Sequence, residues 1–213
     1  MNDNYVLLKS GFYRKINTKH YFKKVKCLNC GCELFRSADQ LKKYAKTFCT
    51  KKCQFSYGQK FDIVINNNFA YLIGLIATDG HITWPGCTPS CWGYLCRISL
   101  QKNDMGLLEN IKKIFGGKAY FLGNMATWGV NDIQLIEYLR DKVGLTNNKC
   151  LTLDIKNWYD ELSDTHKFHF WRGVIDGDGS IIAKKKGGRI CICSASRLFA
   201  ELIAKEFNCK IHI

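Results

Sequence analysis

Residues 68–82 read NFAYLIGLIATDGHI, and this stretch constrains the fold more than any other. It is apolar almost without interruption from Phe69 to Ala77. A helix formed here is therefore buried nearly all round, not along one stripe. Asn67 or Asn68 is expected to cap its start. Gly80 is expected to end it in the left-handed conformation that glycine accepts. Gly74 falls mid-helix, where glycine costs about 1 kcal/mol against alanine, and the expected compensation is close approach of another backbone. Asp79 stands at the C-terminal end, where the helix dipole disfavours a carboxylate, so a cation is expected nearby. The design recurs once. Residues 170–181 read FWRGVIDGDGSI, and Gly74, Ile76, Asp79 and Gly80 correspond to Gly173, Ile175, Asp178 and Gly179. Two such helices are expected to cross closely and bring Asp79 and Asp178 together.

The two segments LIGLIATDG (72–80) and WRGVIDGDG (171–179) resemble the paired motifs of the LAGLIDADG homing endonucleases, of the monomeric, double-motif type. One apolar helix ending in Asp-Gly is a weak signal. Two copies 99 residues apart, with matching material after each, are a specific one. Residues 82–100 read as a hairpin, with Ile98 and Leu100 alternating with Ser99 and Gln101. Asp104 is expected to cap a helix with Leu107, Leu108, Ile111, Ile114 and Phe115 on one face, stopped by Gly116 and Gly117. Segments 118–122 and 126–130 make a second hairpin, and Asp132 caps a further helix. The order is αββαββα, an α+β arrangement with helices on one face of a sheet. It matches the family's repeat, whose uncovered sheet face lies in the DNA major groove, wide enough for a β-ribbon.

Residues 151–162 connect to the second copy, whose helix Ser163 or Asp164 is expected to cap. A shorter hairpin follows, carrying Lys184, Lys185, Lys186 and Arg189 around Gly187 and Gly188, suited to phosphates or base edges. In the next helix Ile203 and Phe207 correspond to Ile111 and Phe115. The expected domains are a basic arm with a zinc module (1–60), a first repeat (61–150) and a C-terminally incomplete second repeat (151–213), related by a pseudo-twofold.

The net charge of +14 is unevenly placed. Residues 1–60 hold 14 Lys and Arg against 3 Asp and Glu; residues 61–150 hold 8 against 7, and 151–213 hold 10 against 8. A basic first third interleaved with aromatic residues points to nucleic acid. Residues 1–25 are expected to be a flexible arm or a strand packed on the next module. Twelve cysteines without a secretory leader or a run of about 18 apolar residues point to reduced thiols inside a cell and no membrane span. Cys27, Cys30, Cys49 and Cys53 form C-x2-C-x18-C-x3-C, a set suited to tetrahedral Zn2+ and similar to a treble-clef module. Cys32 is a spare thiol able to replace Cys30, and Cys87 and Cys91 read as loop thiols. Lys42, Lys43, Lys46, Lys51 and Lys52 are expected to meet phosphates.

The resemblance implies cleavage of double-stranded DNA. Asp79 and Asp178 would hold Mg2+ or Mn2+, Gln101 would position water, and Lys149 would stand near the scissile phosphate. Asp176, opposite Ala77 in the repeat, reads as structural. The second-half counterpart of Gln101 falls near Cys193, and that of Lys149 is missing. The five histidines have no ligand or triad spacing. A rival reading is a cleavage-inactive binder of DNA or intron RNA with the same fold. An intein is disfavoured, because the sequence starts with Met1 and ends Ile211-His212-Ile213 without the groups that splicing needs.

Overall fold

The computed structural model describes residues 5–17, 19–55, 57, 61, 63–91, 93–183 and 187–211, and of Lys52 and Phe55 the backbone only. The expected contacts of Lys184, Lys185 and Lys186, and of the Lys52 side chain, lie outside the described residues. The chain divides into two compact units, Met1–Lys60 and Phe61–Ile213. Among the described residues no helix is long and apolar enough to cross a membrane.

The first unit is an antiparallel meander of β1 (Tyr5–Leu7), β2 (Tyr13–Lys15), β3 (Tyr21–Lys26) and β4 (Glu33–Ser37), then α1 (Ala38–Lys43) and α2 (Lys51–Phe55). Of the two readings open for the first 25 residues, the chain adopts strands. Tyr5, Tyr13, Phe22 and Phe35 point to one face, as their pairing requires. The Tyr5 and Phe35 rings stack with centroids 4.1 Å apart although two strands separate theirs, so the sheet curls around this small aromatic cluster. Ser37 begins α1 with a reciprocal cap: its hydroxyl accepts from the Gln40 N–H, and the Gln40 side chain accepts from the Ser37 N–H.

The second unit begins with α3 (Asn67–Asp79), β5 (Gly80–Thr83), β6 (Leu95–Gln101), α4 (Met105–Phe115), β7 (Lys118–Leu122), β8 (Met125–Val130) and α5 (Ile133–Tyr138), the expected order. The sheet order is β5-β6-β8-β7, all antiparallel. Its covered face carries Ile82, Ile98, Ala126 and Trp128, packed against the helices, with Trp128 donating to the Gly116 carbonyl at 2.9 Å. Short helices α6 (Lys149–Thr152) and α7 (Lys156–Asp160) lead to α8 (Asp164–Asp178), β9 (Gly179–Ala183), β10 (Gly188–Ile192) and α9 (Arg197–Phe207). Ser163 caps α8, accepting from the His166 N–H at 3.3 Å.

Three local expectations are corrected. The cap of α3 is Asn66, one residue earlier than expected, its side chain accepting from the Phe69 N–H at 2.9 Å. Gly80 ends α3 with φ −76° and ψ 150°, so no left-handed turn is involved. Glycine is needed there because a Cβ would lie 2.4 Å from the Ile76 carbonyl oxygen as the chain passes straight from helix to strand. Asp104 precedes α4 but its side chain makes no cap hydrogen bond.

The axis of the unit is the pair α3 and α8. A Cβ on Gly74 would lie 2.1 Å from the Phe170 carbonyl oxygen, and one on Gly173 would lie 2.1 Å from that of Tyr71. The two backbones touch, and neither glycine can be replaced without separating them. Tyr71 on α3 donates to Asp176 on α8 at 2.8 Å, which gives Asp176 its structural role. In the second half β9 pairs with β10 alone among the described residues. A cavity of about 690 Å3 lies between β10 and α9, lined by Ile190, Ile192, Ile203 and Phe207 among others.

Candidate nucleic-acid and metal sites

The close crossing decides where the two aspartates fall. With Gly74 against Gly173 the helices stay in register to their ends. A Cβ on Gly177 would meet the Thr78 hydroxyl oxygen at 2.0 Å and an Asp79 carboxylate oxygen at 3.0 Å. Asp79 therefore lies against α8 one residue before Asp178. Burial pushes the Asp79 carboxyl above its ordinary value, and the charges of Asp178 and Asp104 add to the effect while Lys149 opposes it. Burial likewise raises Asp178, against the pull of Lys149.

Lys149 lies near this pair but is 6% exposed. Its ammonium donates to the carbonyl of Ala77 at 2.8 Å and to that of Thr78, so it satisfies orphan carbonyls at the end of α3. Burial lowers its pKa, and the charges of Cys150, Asp178 and Asp79 hold it up. Gln101 is the exposed last residue of β6, three residues before Asp104. The donors here are carboxylate oxygens, Asp79 half-buried and Asp178 exposed, at helix ends that disfavour negative charge. That set fits a hard divalent cation such as Mg2+ or Mn2+.

The uncovered face of the four-stranded sheet follows from its register. His81, Arg97, Gly129 and Lys118 lie across one row; Ser99, Thr127 and Tyr120 lie across the next. Burial, with Arg97 and Lys149 close by, lowers the His81 pKa. Arg189 belongs to the corresponding side of the β9–β10 ribbon, with Ser180. Sequence reasoning missed Arg97, Lys118, Tyr120 and Asp104. The alternation of β6 held the signal for Arg97, since it stands two residues before Ser99 on the polar side.

In the first unit the sulfurs of Cys27, Cys30, Cys49 and Cys53 all lie within 4.8 Å of one another. The Cys30–Cys49 and Cys49–Cys53 separations are 3.6 and 3.4 Å. A zinc–sulfur bond of about 2.3 Å gives tetrahedral edges of about 3.8 Å, so the cluster is compatible with zinc. Cys27 follows β3 at the start of a tight turn in which the Gly31 N–H donates to the Cys27 carbonyl at 2.9 Å, with Gly31 at φ +74°. Burial pushes the Cys27 thiol up. Backbone N–H groups of Cys30, Cys49 and Asn29 aimed at its sulfur outweigh this and bring it from 9.0 to about 6. Cys49 precedes α2 and Cys53 lies within it. Lys42 and Lys43 close the last turn of α1, and Lys51 opens α2.

Residues 165–206 match the family of LAGLIDADG-like domains. Among solved structures, the chain is similar to the LAGLIDADG meganuclease I-AabMI bound to uncleaved DNA, at 16% identity over 68% of this chain and 74% of that one, with a TM-score of 0.44. It is similar to I-DmoI in complex with DNA and Mn, at 14% identity over 68% and 78%, with a TM-score of 0.46. It is also similar to the homing endonuclease I-LtrWI bound to target DNA, at 14% over 70% and 74%, with a TM-score of 0.42. No protein of curated function matches the chain significantly.

Proposed function

From the premise that residues 165–206 carry a LAGLIDADG-like domain, we propose that the chain is a site-specific, double-stranded DNA endonuclease of the mobile-intron type, using a divalent metal to hydrolyse phosphodiesters. The observation that carries this reading is the meeting of Asp79 and Asp178 where two glycine-packed helices end. Asp79 and Asp178 would hold the cation and orient the attacking water. Bound there, Mg2+ or Mn2+ supplies charge neutralisation on the phosphate and acidification of the water. Gln101, the exposed last residue of β6, would hydrogen-bond that water. Lys149 acts from behind: by holding the carbonyls of Ala77 and Thr78 it keeps the end of α3, and so Asp79, in position. The uncovered face of the four-stranded sheet, with Arg97 and Lys118, and the corresponding side of the β9–β10 ribbon, with Arg189, would lie in the major groove. The basic first unit, with Lys42, Lys43 and Lys51, adds phosphate contacts around a structural zinc held by Cys27, Cys30, Cys49 and Cys53.

A second reading, binding to DNA or intron RNA without cleavage, is favoured by one observation: the Lys149 ammonium is buried and donates to the carbonyls of Ala77 and Thr78. Incubation with a library of randomised duplexes, with Mg2+ and with EDTA, separates the two. Expected is metal-dependent enrichment of cut ends at one sequence, reduced roughly 100-fold or more in Asp79→Asn and in Asp178→Asn, with binding to that sequence retained. Selective binding without metal-dependent cutting would establish the second reading instead.

A further inference from the structure

The sheet of the first unit has a second face, opposite its aromatic cluster. The pairing puts Val6, Arg14 and Tyr21 in one row across β1, β2 and β3, and two residues further along β3 it puts Lys23 across from Arg36. The one carboxylate on the four strands is Glu33, which stands on the other face and pairs with Lys24 at 2.6 Å. The second face therefore carries three cations, Arg14, Lys23 and Arg36, and no acid. Arg36 is tied down, its guanidinium donating to the carbonyls of Phe35 and Phe48, so it supplies charge alone. Arg14 and Lys23 are exposed. Tyr21 stands beside both, with Arg14 directly across the strand pair at about 5 Å between Cβ atoms and Lys23 two residues along at about 7 Å. Its side chain is 55% exposed. The rings of Tyr5, Tyr13, Phe22 and Phe35 pack on one another, whereas Tyr21 meets no other ring among the described residues.

We propose that this face binds a single nucleic-acid strand, with an unpaired base stacked on the Tyr21 ring and the flanking phosphates paired with Arg14 and Lys23. The site is separate from the cleavage proposed for the second unit. It is also separate from the duplex contacts proposed for Lys42, Lys43 and Lys51, which belong to α1 and α2. Charge complementarity names a polyanion: residues 1–60 hold 14 Lys and Arg against 3 Asp and Glu, and this face holds no acid at all. The ring decides which polyanion. Inside a duplex each base face is covered by its neighbours, so an exposed ring on a sheet gains nothing from it. An unpaired base offers a free face, and stacking on an aromatic side chain tolerates any base. An acidic protein surface would satisfy Arg14 and Lys23 but gives the ring no flat partner. Contacts of this kind do not read the sugar, so DNA and RNA strands are bound alike.

The test is fluorescence anisotropy of a labelled oligothymidylate, the matching oligouridylate and a duplex of equal length, each titrated with the full-length chain across a salt series. Expected for Tyr21→Ala is a loss of about 10-fold or more in affinity for both single strands, with duplex affinity changed by less than about 2-fold. Tyr21→Phe keeps the ring and should bind like the parent. Tyr21→Leu keeps apolar bulk without an aromatic face and should lose affinity as the alanine variant does; it decides the matter if Tyr21→Ala fails to fold. Arg14→Ala combined with Lys23→Ala should flatten the dependence of log K on log salt for the single strands by about 0.7 for each phosphate given up. Single-strand affinity unmoved by Tyr21→Leu, or duplex affinity lost to the same extent, would overturn the proposal. So would a preference for one sugar beyond about 10-fold, because stacking and phosphate contacts leave the 2′-hydroxyl unread.

Discussion

Asp79 and Asp178 illustrate how a single residue can be placed against its own stability. Each stands at the C-terminal end of a helix and beside another acid, and each carboxyl is raised by burial. A carboxyl raised in the folded state holds its proton more tightly there than in the unfolded chain. From the ordinary value near 3.8 up to the raised one, the native state binds more protons, so stability falls as pH climbs through that window and stays lower above it. In EDTA at neutral pH, Asp79→Asn should therefore unfold at a higher urea concentration than the parent chain. The gain should be small, because the carboxylate is only half-buried and salt screens the repulsion. It should disappear near about pH 3, where the parent carboxyl is itself neutral. Urea titrations of both proteins at the two pH values check this, and a lower midpoint for Asp79→Asn at neutral pH would contradict the assignment. Added Mg2+ should stabilise the parent more than the variant. Asp79 was legible in the sequence because a carboxylate after a dry helix is out of place. Asp104 was not, because a helix cap explained it equally well.

The helices were legible as elements, and their terminal details less so. Residues 66–68 are three asparagines in a row, so every one of them gives the same capping signal, and only the position of Phe69 against the core selects Asn66. Gly80 was expected from a conformational argument and is required by a steric one. A glycine in a sequence does not tell which. The strands of the first unit were obscured because β1 and β2 are three residues long and half-exposed, too short to show alternation. The mid-helix glycines gave the clearest reading, since a cost of about 1 kcal/mol in a buried helix demands a return. The return is backbone contact between α3 and α8, and it can be tested directly. Gly74→Ala forces a methyl to within 2.1 Å of the Phe170 carbonyl oxygen, which no side-chain rotation relieves. The expected loss is about 3 kcal/mol or more, with Gly173→Ala equivalent. Chemical denaturation measures it, and a change under about 1 kcal/mol would mean that the crossing can open without penalty.

At the scale of the whole molecule the sequence showed a division of labour that the fold makes physical. Among the described residues, the second unit holds every buried hydrophobic side chain except Cys27. The first unit is organised by a curled sheet and a thiol cluster, with little apolar area to bury. Small units of that kind depend on a metal for much of their stability. Its charge is the opposite of scarce: residues 1–60 hold 14 Lys and Arg against 3 Asp and Glu, while residues 61–150 hold 8 against 7. Contacts made by such a unit go to phosphates, which give affinity without sequence information. In the proposed function the sheet face of the second unit, with Arg97 and Ser99 on β6 and Tyr120 on β7, would distinguish bases. Separate surfaces for affinity and for selectivity predict separate responses to salt. Residues 61–213 alone, which retain the main core, should bind DNA more weakly than the full chain. The dependence of log K on log salt should flatten by about 0.9 for each phosphate that is no longer neutralised, while the preference among duplex sequences is kept. Fluorescence anisotropy across a salt series measures both quantities. An unchanged slope after removal of residues 1–60 would mean that the basic third of the chain does not touch the duplex, and that its charge serves some other polyanion.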